Sequence, residues 1–311
     1  MRIIILGAGG CFAQNLAIYL QPFGYELMGI GRSEPKQAPY TLGFDWDYRT
    51  YHMVAQFEEA WGAIQGFKPD CIINFAAHAG LVPQSWLYPT EFYATNLLLP
   101  VKIAQRLDCR YFHIGSSEVY GSNTFPVTED APIRCSSPYA VSKAAADLHL
   151  MTLKDERITI IRPSNCYCPG QSLHRIIPRA VHAAITGQRM PLQGNASKSY
   201  LYAEDLSAGI ELLLRQPQAG IFNIGSQSPV SMHKIVEEVA SQFGKTTAEI
   251  AIVGEGRPNE DQCFWISSEK IMRLGWKPVI ELRDGIGRMA EWGRKYADEI
   301  KTMSTDYLMR P

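Results

Sequence analysis

No stretch of this sequence approaches the roughly 18 consecutive apolar residues of a membrane span. Charge of one sign is also missing: 30 Lys and Arg stand against 31 Asp and Glu, a formal net charge of -1. Without a strong field, nothing in the composition points to nucleic acid or to an anionic membrane. Seven cysteines, an odd number at irregular spacings, make no disulfide framework and suit a reducing, cytoplasmic setting. Cys166 and Cys168 form a C-x-C, but no second Cys or His pair stands nearby, so no metal site is expected. The opening MRIIILGAGG has too short an apolar run for a secretory signal and reads as a buried strand. No internal repeat and no low-complexity linker interrupts the 311 residues, so any lobes are expected to pack as one body. The chain is 46% hydrophobic and 20% charged, as in a globular enzyme, and its length suits about two domains or one domain with a lobe.

What is present begins with Ile3–Leu6, a β-branched run, followed by Gly7-Ala-Gly-Gly10-Cys11-Phe12-Ala13 and the helical pattern Asn15–Leu20. Strand, glycine turn and helix in that order make a phosphate-binding unit. Glycine lets the backbone approach a pyrophosphate, and the helix N-terminus offers free N–H groups and a positive dipole. Gly7, Gly10, Cys11 and Phe12 are therefore assigned to a dinucleotide. Tyr25–Ile30 reads as the second strand. Dinucleotide sites often place an acid at its end, to bond the ribose hydroxyls. Here the end is Gly31-Arg32-Ser33: the acid is missing and a cation is next. An Arg there can hold a 2′-phosphate, so NADP is expected over NAD. A third strand is expected at Tyr40–Phe44, with Asp45 and Trp46 after it near the adenine.

Helices and strands then alternate as in a doubly wound sheet. Val54–Gln65 reads as helix. Asp70–Phe75 reads as strand and leads into Ala76-Ala77, small enough for a cofactor to lie close. Glu91–Leu107 reads as a helix containing Asn96. Arg110–Ile114 and Arg157–Ile161 read as the fifth and sixth strands, the latter leading into Arg162-Pro163-Ser164-Asn165. Ligands of such sheets bind at the carboxyl ends of the strands, where Ser116, Ser117 and Glu118 fall. Past them, Ser137 suits an N-cap and Pro138 the first helical position. Tyr139 and Lys143, four apart, share a face of that helix. A phenol ionises near about pH 10, and a neighbouring cation lowers that value. Such a Tyr can exchange a proton with a substrate hydroxyl.

With these residues in place the chain resembles the extended short-chain dehydrogenases/reductases of the nucleotide-sugar epimerase/dehydratase group. The resemblance rests on GAGGCFA (Gly7–Ala13), NFAAH (Asn74–His78), Asn96, GSSEVYG (Gly115–Gly121), YAVSK (Tyr139–Lys143), RPSNCYCPG (Arg162–Gly170), SYLYAEDL (Ser199–Leu206) and LGWKP (Leu274–Pro278). They cover nearly the whole length, in the family's order. The chain departs from the pattern at Ala13, at Gly31-Arg32, at Cys168 and at Lys198. The resemblance implies a Rossmann-type doubly wound parallel sheet over residues 1–169. Residues 170–311 would form mainly a smaller, mixed nucleotide-sugar-binding lobe, packed as one body with the first. It also implies a homodimer.

The resemblance further implies roles. Ser116 would bond the sugar 4-hydroxyl, Tyr139 would accept its proton, and Lys143 would hold the nicotinamide ribose. Phe75, Ala76, Ala77, Asn96 and Pro163 would line the dinucleotide. His78, Ser117, Asn165, Arg175, Lys198 and Arg257 would meet the nucleotide sugar. Glu118 bears on the reaction. The 4,6-dehydratases carry an acid two residues after the catalytic Ser or Thr, while simple 4-epimerases usually do not. Once C4 is a ketone, the C5 proton is acidic and a carboxylate can take it. Reductases of 4-keto-6-deoxy sugars share the GSSE segment, so a reductase or an epimerase remains the alternative. A non-catalytic dinucleotide sensor would have no use for Ser116, Tyr139 and Lys143 together. Ile176–Thr186, Ala203–Leu214, Met232–Phe243 and Arg283–Tyr296 read as helices of the second lobe, and Ile221–Ile224 as a strand there.

Overall fold

The computed structural model describes residues 1–34, 37–43, 45–79, 82–194, 196–226, 228–255 and 263–306. Its centre is a sheet of seven parallel strands. Six are β1 (Arg2–Leu6), β2 (Glu26–Gly31), β3 (Asp47–Thr50), β4 (Cys71–Asn74), β5 (Arg110–Ile114) and β6 (Ile158–Pro163); the seventh is Gly220–Ile224. From one edge they run Gly220–Ile224, β6, β5, β4, β1, β2, β3. The strand order reverses between β1 and β4, and a ligand crevice forms outside the carboxyl ends at such a point. Ile3, Ile4, Ile5, Leu6, Ile72 and Ile73 are fully buried because helices cover both faces of a parallel sheet. On one face, α1 (Cys11–Leu20) and the Ala203–Arg215 helix share a core with Phe112, Ile161 and Phe222. On the other, the Phe57–Phe67 helix packs with Leu99, Ile103 and Leu150 against Ile4, Met28 and Tyr111.

Three expectations are corrected. First, the third strand is not at Tyr40–Gly43, and Phe44 of the expected span lies outside the described residues. The strand is Asp47–Thr50, and Asp45 precedes it rather than following a strand. β3 is the sheet edge, with two exposed ends and a mostly exposed pattern, so no apolar run marks it. Second, Glu91–Leu107 is not one regular helix. Pro89–Tyr93 and Leu99–Ala104 are joined through a π turn at Ala94–Leu98, whose closing bond runs from the Leu99 N–H to the Ala94 carbonyl. Pro100 has no N–H to give the carbonyl of Asn96, and the wider turn absorbs the gap. Third, the sheet does not end at residue 169. The strand Gly220–Ile224 pairs in parallel with β6, and the Ala203–Arg215 helix packs on α1.

The rest of the second lobe is built on the helices Ile176–Thr186, Met232–Gln242 and Leu282–Lys295. They bury Ile177, Val181, Val236, Val239, Ile286, Met289 and Trp292 together. Trp292 donates from Nε1 to the carbonyl of Pro39, 3.0 Å away, which ties this lobe to the loop after β2. A short helix, Ala297–Lys301, follows. Among the described residues, no helix is long and apolar enough to cross a membrane.

Candidate active site

The glycine turn sets one wall of the crevice. Gly7 has φ +76, and a Cβ there would lie 2.6 Å from the backbone nitrogen of Ala76, so only glycine fits. Its N–H donates to the Ile30 carbonyl at 2.8 Å, and the Gly10 N–H closes the turn on the Gly7 carbonyl at 2.9 Å. Gly10 then caps α1, whose first residues, Cys11 and Phe12, line the crevice. Beside it Phe75, Ala76, Ala77 and His78 line the same cleft. Asn74 sets this segment: its Oδ1 accepts the Ala76 N–H at 3.0 Å, and its Nδ2 donates to the Tyr111 hydroxyl at 2.9 Å. The cleft so enclosed measures about 530 Å³. A turn where no Cβ fits, an open helix N-terminus and a wall of small residues suit an extended dinucleotide.

Arg32 reaches the cleft from the end of β2. Asp45 and Trp46 do not line it: Asp45 is exposed, and the Trp46 ring lies over Gly29. Residues the sequence left unassigned stand there instead. Tyr48 and Tyr51–Val54 come from the end of β3, Gln171–Leu173 from the turn after Gly170, and Met303, Ser304 and Asp306 from the chain's last described segment. The odd density of Tyr and His just after β3 was the available signal.

Asn96 lies on the π turn and is fully buried. Its Oδ1 accepts the His78 N–H at 2.8 Å, and its Nδ2 donates to the His78 carbonyl and to Ser142 Oγ, each at 3.0 Å. Asn96 therefore holds the wall in place from behind. The His78 ring packs edge-on to Phe92, and its buried Nε2 has no hydrogen-bond partner among the described residues. Burial, and then the Arg32 cation, lowers the pKa of this imidazole below its ordinary value.

Ser116, Glu118, Tyr139 and Lys143 converge beyond the carboxyl end of β5. Ser116 caps the Ser117–Tyr120 turn, its Oγ accepting the Glu118 N–H at 3.2 Å. Ser137 caps the Pro138–Thr152 helix as expected, accepting the Ala140 N–H at 3.1 Å. That helix carries Tyr139 to Ser116, where the two side chains hydrogen-bond. Lys143 is buried and donates from Nζ to the Ile114 carbonyl at 2.7 Å. One expectation fails here. The phenol is not lowered by Lys143 but pushed up to about 12, first by burial and then by the Glu118 carboxylate. The Ser116 bond and the Arg175 cation pull the other way and are weaker. Lys143 is itself brought down to about 8 by burial, against the attraction of Asp147.

The remaining predicted residues spread outward. Arg175 stands before the Ile176–Thr186 helix, lines the cleft and donates to the Ala79 carbonyl at 2.6 Å. His174 beside it is brought down to about 4 by burial and by Arg175 and Arg179. Ser117 is buried in its turn. Pro163 closes β6, and Asn165 opens a short strand, Asn165–Tyr167, paired in parallel with Tyr200–Tyr202. Lys198 places its ammonium 5.2 Å from the Phe264 ring centre. None of these four lines the dinucleotide cleft. Arg257 lies outside the described residues. Among the described residues no group of three or more His, Cys, Asp or Glu could hold a metal ion.

These features define a dinucleotide-dependent enzyme of Rossmann type. Residues 3–225 match the model of the NAD dependent epimerase/dehydratase family, and the chain belongs to that family. It is 30% identical over 241 residues to a dTDP-glucose 4,6-dehydratase of Streptomyces griseus, covering 73% of this chain and 72% of that one. It is 28% identical over 239 residues to a trifunctional UDP-glucose 4,6-dehydratase/UDP-4-keto-6-deoxy-D-glucose 3,5-epimerase/UDP-4-keto-L-rhamnose-reductase of Arabidopsis thaliana. That match covers 72% of this chain and 36% of the plant protein. A solved structure of a dTDP-glucose 4,6-dehydratase from Streptomyces venezuelae, with NAD and TDP bound, superposes with a TM-score of 0.84 at 25% identity. It covers 96% of this chain and 98% of that one. The chain is thus a nicotinamide-dinucleotide enzyme of the nucleotide-sugar epimerase/dehydratase class.

Proposed function

We propose that the protein is a nucleotide-sugar 4,6-dehydratase. The observation that carries this reading is Glu118, a carboxylate within electrostatic reach of Tyr139 and bonded through its own N–H to Ser116. Curated relatives named 4,6-dehydratases, 30% and 27% identical to this chain, support it. In this reading Ser116 bonds the sugar 4-hydroxyl and Tyr139 takes its proton. The dinucleotide supplies the hydride acceptor at C4 and later the hydride donor at C6. Glu118 takes the C5 proton made acidic by the C4 ketone. Glu118, now protonated, gives that proton to the C6 hydroxyl, which leaves as water beside Ser117 of the same turn, and a solvent proton returns to C5 as C6 is reduced. Product and substrate then differ by one water, and the dinucleotide ends as it began. His78, Arg175, Asn165, Lys198 and Arg257 are proposed to hold the nucleotide sugar. Phe75, Ala76 and Ala77, with the glycine turn, are proposed for the dinucleotide, and Asn96 for holding their segment from behind; Pro163, expected there, stands outside the cleft.

NADP is proposed over NAD, because the last residue of β2 is Gly31 and Arg32 follows it in the cleft. The chain is read as a cytoplasmic homodimer. Leu98, Val141, Leu148 and Met151 are exposed on neighbouring helices and suit a second copy. Sedimentation giving a monomer mass would defeat the dimer.

The deciding experiment is incubation with a panel of nucleotide sugars and the mass of the product. Loss of one water supports the dehydratase; unchanged mass with inverted C4 makes it an epimerase, and a gain of two hydrogens a reductase. In heavy water the dehydratase must place deuterium at C5, and Glu118→Gln should slow that step about 10²–10⁴-fold.

A further inference from the structure

We infer that Tyr48 fills the place of the ribose-anchoring acid at the end of β2 and so turns this site against NAD. The inference rests on the reading that the cleft holds a nicotinamide dinucleotide with Arg32 at its 2′ position.

The argument starts from two glycines and two aromatic rings. β2 and β3 pair in parallel, with Gly29 opposite Tyr48 and Gly31 opposite Thr50. Gly29 and Gly31 are two apart and share a face of the strand. Trp46 and Tyr48, also two apart, lean their rings over them. A Cβ on Gly29 would stand 2.8 Å from the Trp46 ring. A Cβ on Gly31 would stand 2.7 Å from Tyr48 Cζ and closer still to the phenol oxygen. The same Cβ would face the glycine turn, 3.4 Å from the Gly9 nitrogen. Position 31 therefore points at the phosphate-binding turn, where an acid would reach the ribose hydroxyls. The Tyr48 ring occupies that space.

Tyr48 is also fixed. Its hydroxyl donates to the Ser33 carbonyl at 2.8 Å and lies 3.2 Å from where a Gly9 Cβ would be. This bond holds the Arg32-Ser33 backbone beside the mouth of the turn. Burial raises the phenol's pKa, so the group stays neutral and does not repel a phosphate as a carboxylate would. The nearest acid in sequence, Glu34, accepts from Thr50 Oγ1 at 3.1 Å and does not line the cleft. Among the described residues the end of β2 thus offers the cleft no carboxylate for a ribose diol, beside a cation that suits a 2′-phosphate; the one described acid in the lining, Asp306, comes from the chain's last described segment.

The test is equilibrium titration of the full chain, freed of dinucleotide, with NADP+ and NAD+ separately. Wild type should bind NADP+ more tightly. Tyr48→Phe keeps the ring but frees Ser33, so NADP+ binding should weaken about 3–10-fold while NAD+ changes little. Gly31→Asp alone should weaken both dinucleotides, since Tyr48 stands in the way. Gly31→Asp with Tyr48→Ala opens the space for the carboxylate and should move the NAD-to-NADP affinity ratio about 10–100-fold toward NAD. The proposal is overturned if Gly31→Asp alone gives the same shift as the double variant, or if the double variant leaves the ratio unchanged. Should the Asp variants not fold, equal effects of Tyr48→Phe on both dinucleotides overturn it. A wild type that favours NAD+ defeats the NADP reading itself, while the difference between single and double variants still decides Tyr48.

Discussion

Asp147 and Arg162 form a buried ion pair, Oδ2 to Nε 2.7 Å, directly behind the active-site strand end. The carboxylate sits one helical turn beyond Lys143 and within about 3.2 Å of where a Gly115 Cβ would be. Arg162 also donates to the Tyr120 hydroxyl at 2.7 Å, and that hydroxyl to Asn223 Oδ1 at 2.9 Å. One chain of bonds thus joins the Tyr139 helix, β6, the Ser116 turn and the seventh strand. His113 lies 3.6 Å from the other Asp147 oxygen, and burial keeps it neutral.

Breaking this pair leaves an uncompensated buried charge. Asp147→Asn should therefore cost about 3–5 kcal/mol of stability. Asp147→Leu with Arg162→Met, which removes both charges, should cost less than the two single changes added together. Urea unfolding of Asp147→Asn, of Asp147→Leu and Arg162→Met singly, and of the double variant measures this. Single variants within about 1 kcal/mol of wild type would show that the pair contributes little.

Tyr139→Phe removes only a hydroxyl that meets Ser116. Dinucleotide binding and the melting temperature should stay close to wild type, and turnover should fall about 10²–10⁴-fold. Because burial and Glu118 hold the phenol near 12, wild-type turnover should rise toward alkaline pH, and the variant should lose that rise. Near wild-type turnover would remove Tyr139 from the proton transfer.

His174 gives a pH dependence of definite sign. Its pKa falls from the ordinary 6.5 to about 4 on folding, chiefly through burial. Between those values the unfolded chain binds a proton that the folded chain does not. Stability is therefore present above about pH 6.5 and is lost as pH falls toward 4. His78 and His182, also lowered, act in the same direction. Urea midpoints across this range should show a shallower slope in His174→Gln. An unchanged slope would mean that His174 does not contribute.

The parts legible in the sequence are those that local chemistry dictates. The Arg110–Ile114 strand and the Ile176–Thr186 helix have the ends expected of them, because apolar runs and flanking breakers mark both. The glycine turn, the Ser137 cap and the Tyr139–Lys143 spacing are short-range features, and the structure keeps them. What tertiary structure decided depends on groups far apart in the chain. β3 escaped notice because an exposed edge strand needs no apolar run. Gly220–Ile224 joins the first sheet only because β6 offers it an edge. The phenol of Tyr139 rises rather than falls because burial and Glu118 act on it more strongly than the Lys143 spacing suggested. Gly31 looked like a missing acid, and only the packing of β3 on β2 put the Tyr48 ring in its place. Sequence sets backbone preference and charge; which side chains meet is set by how the elements pack, and local pattern does not carry that information.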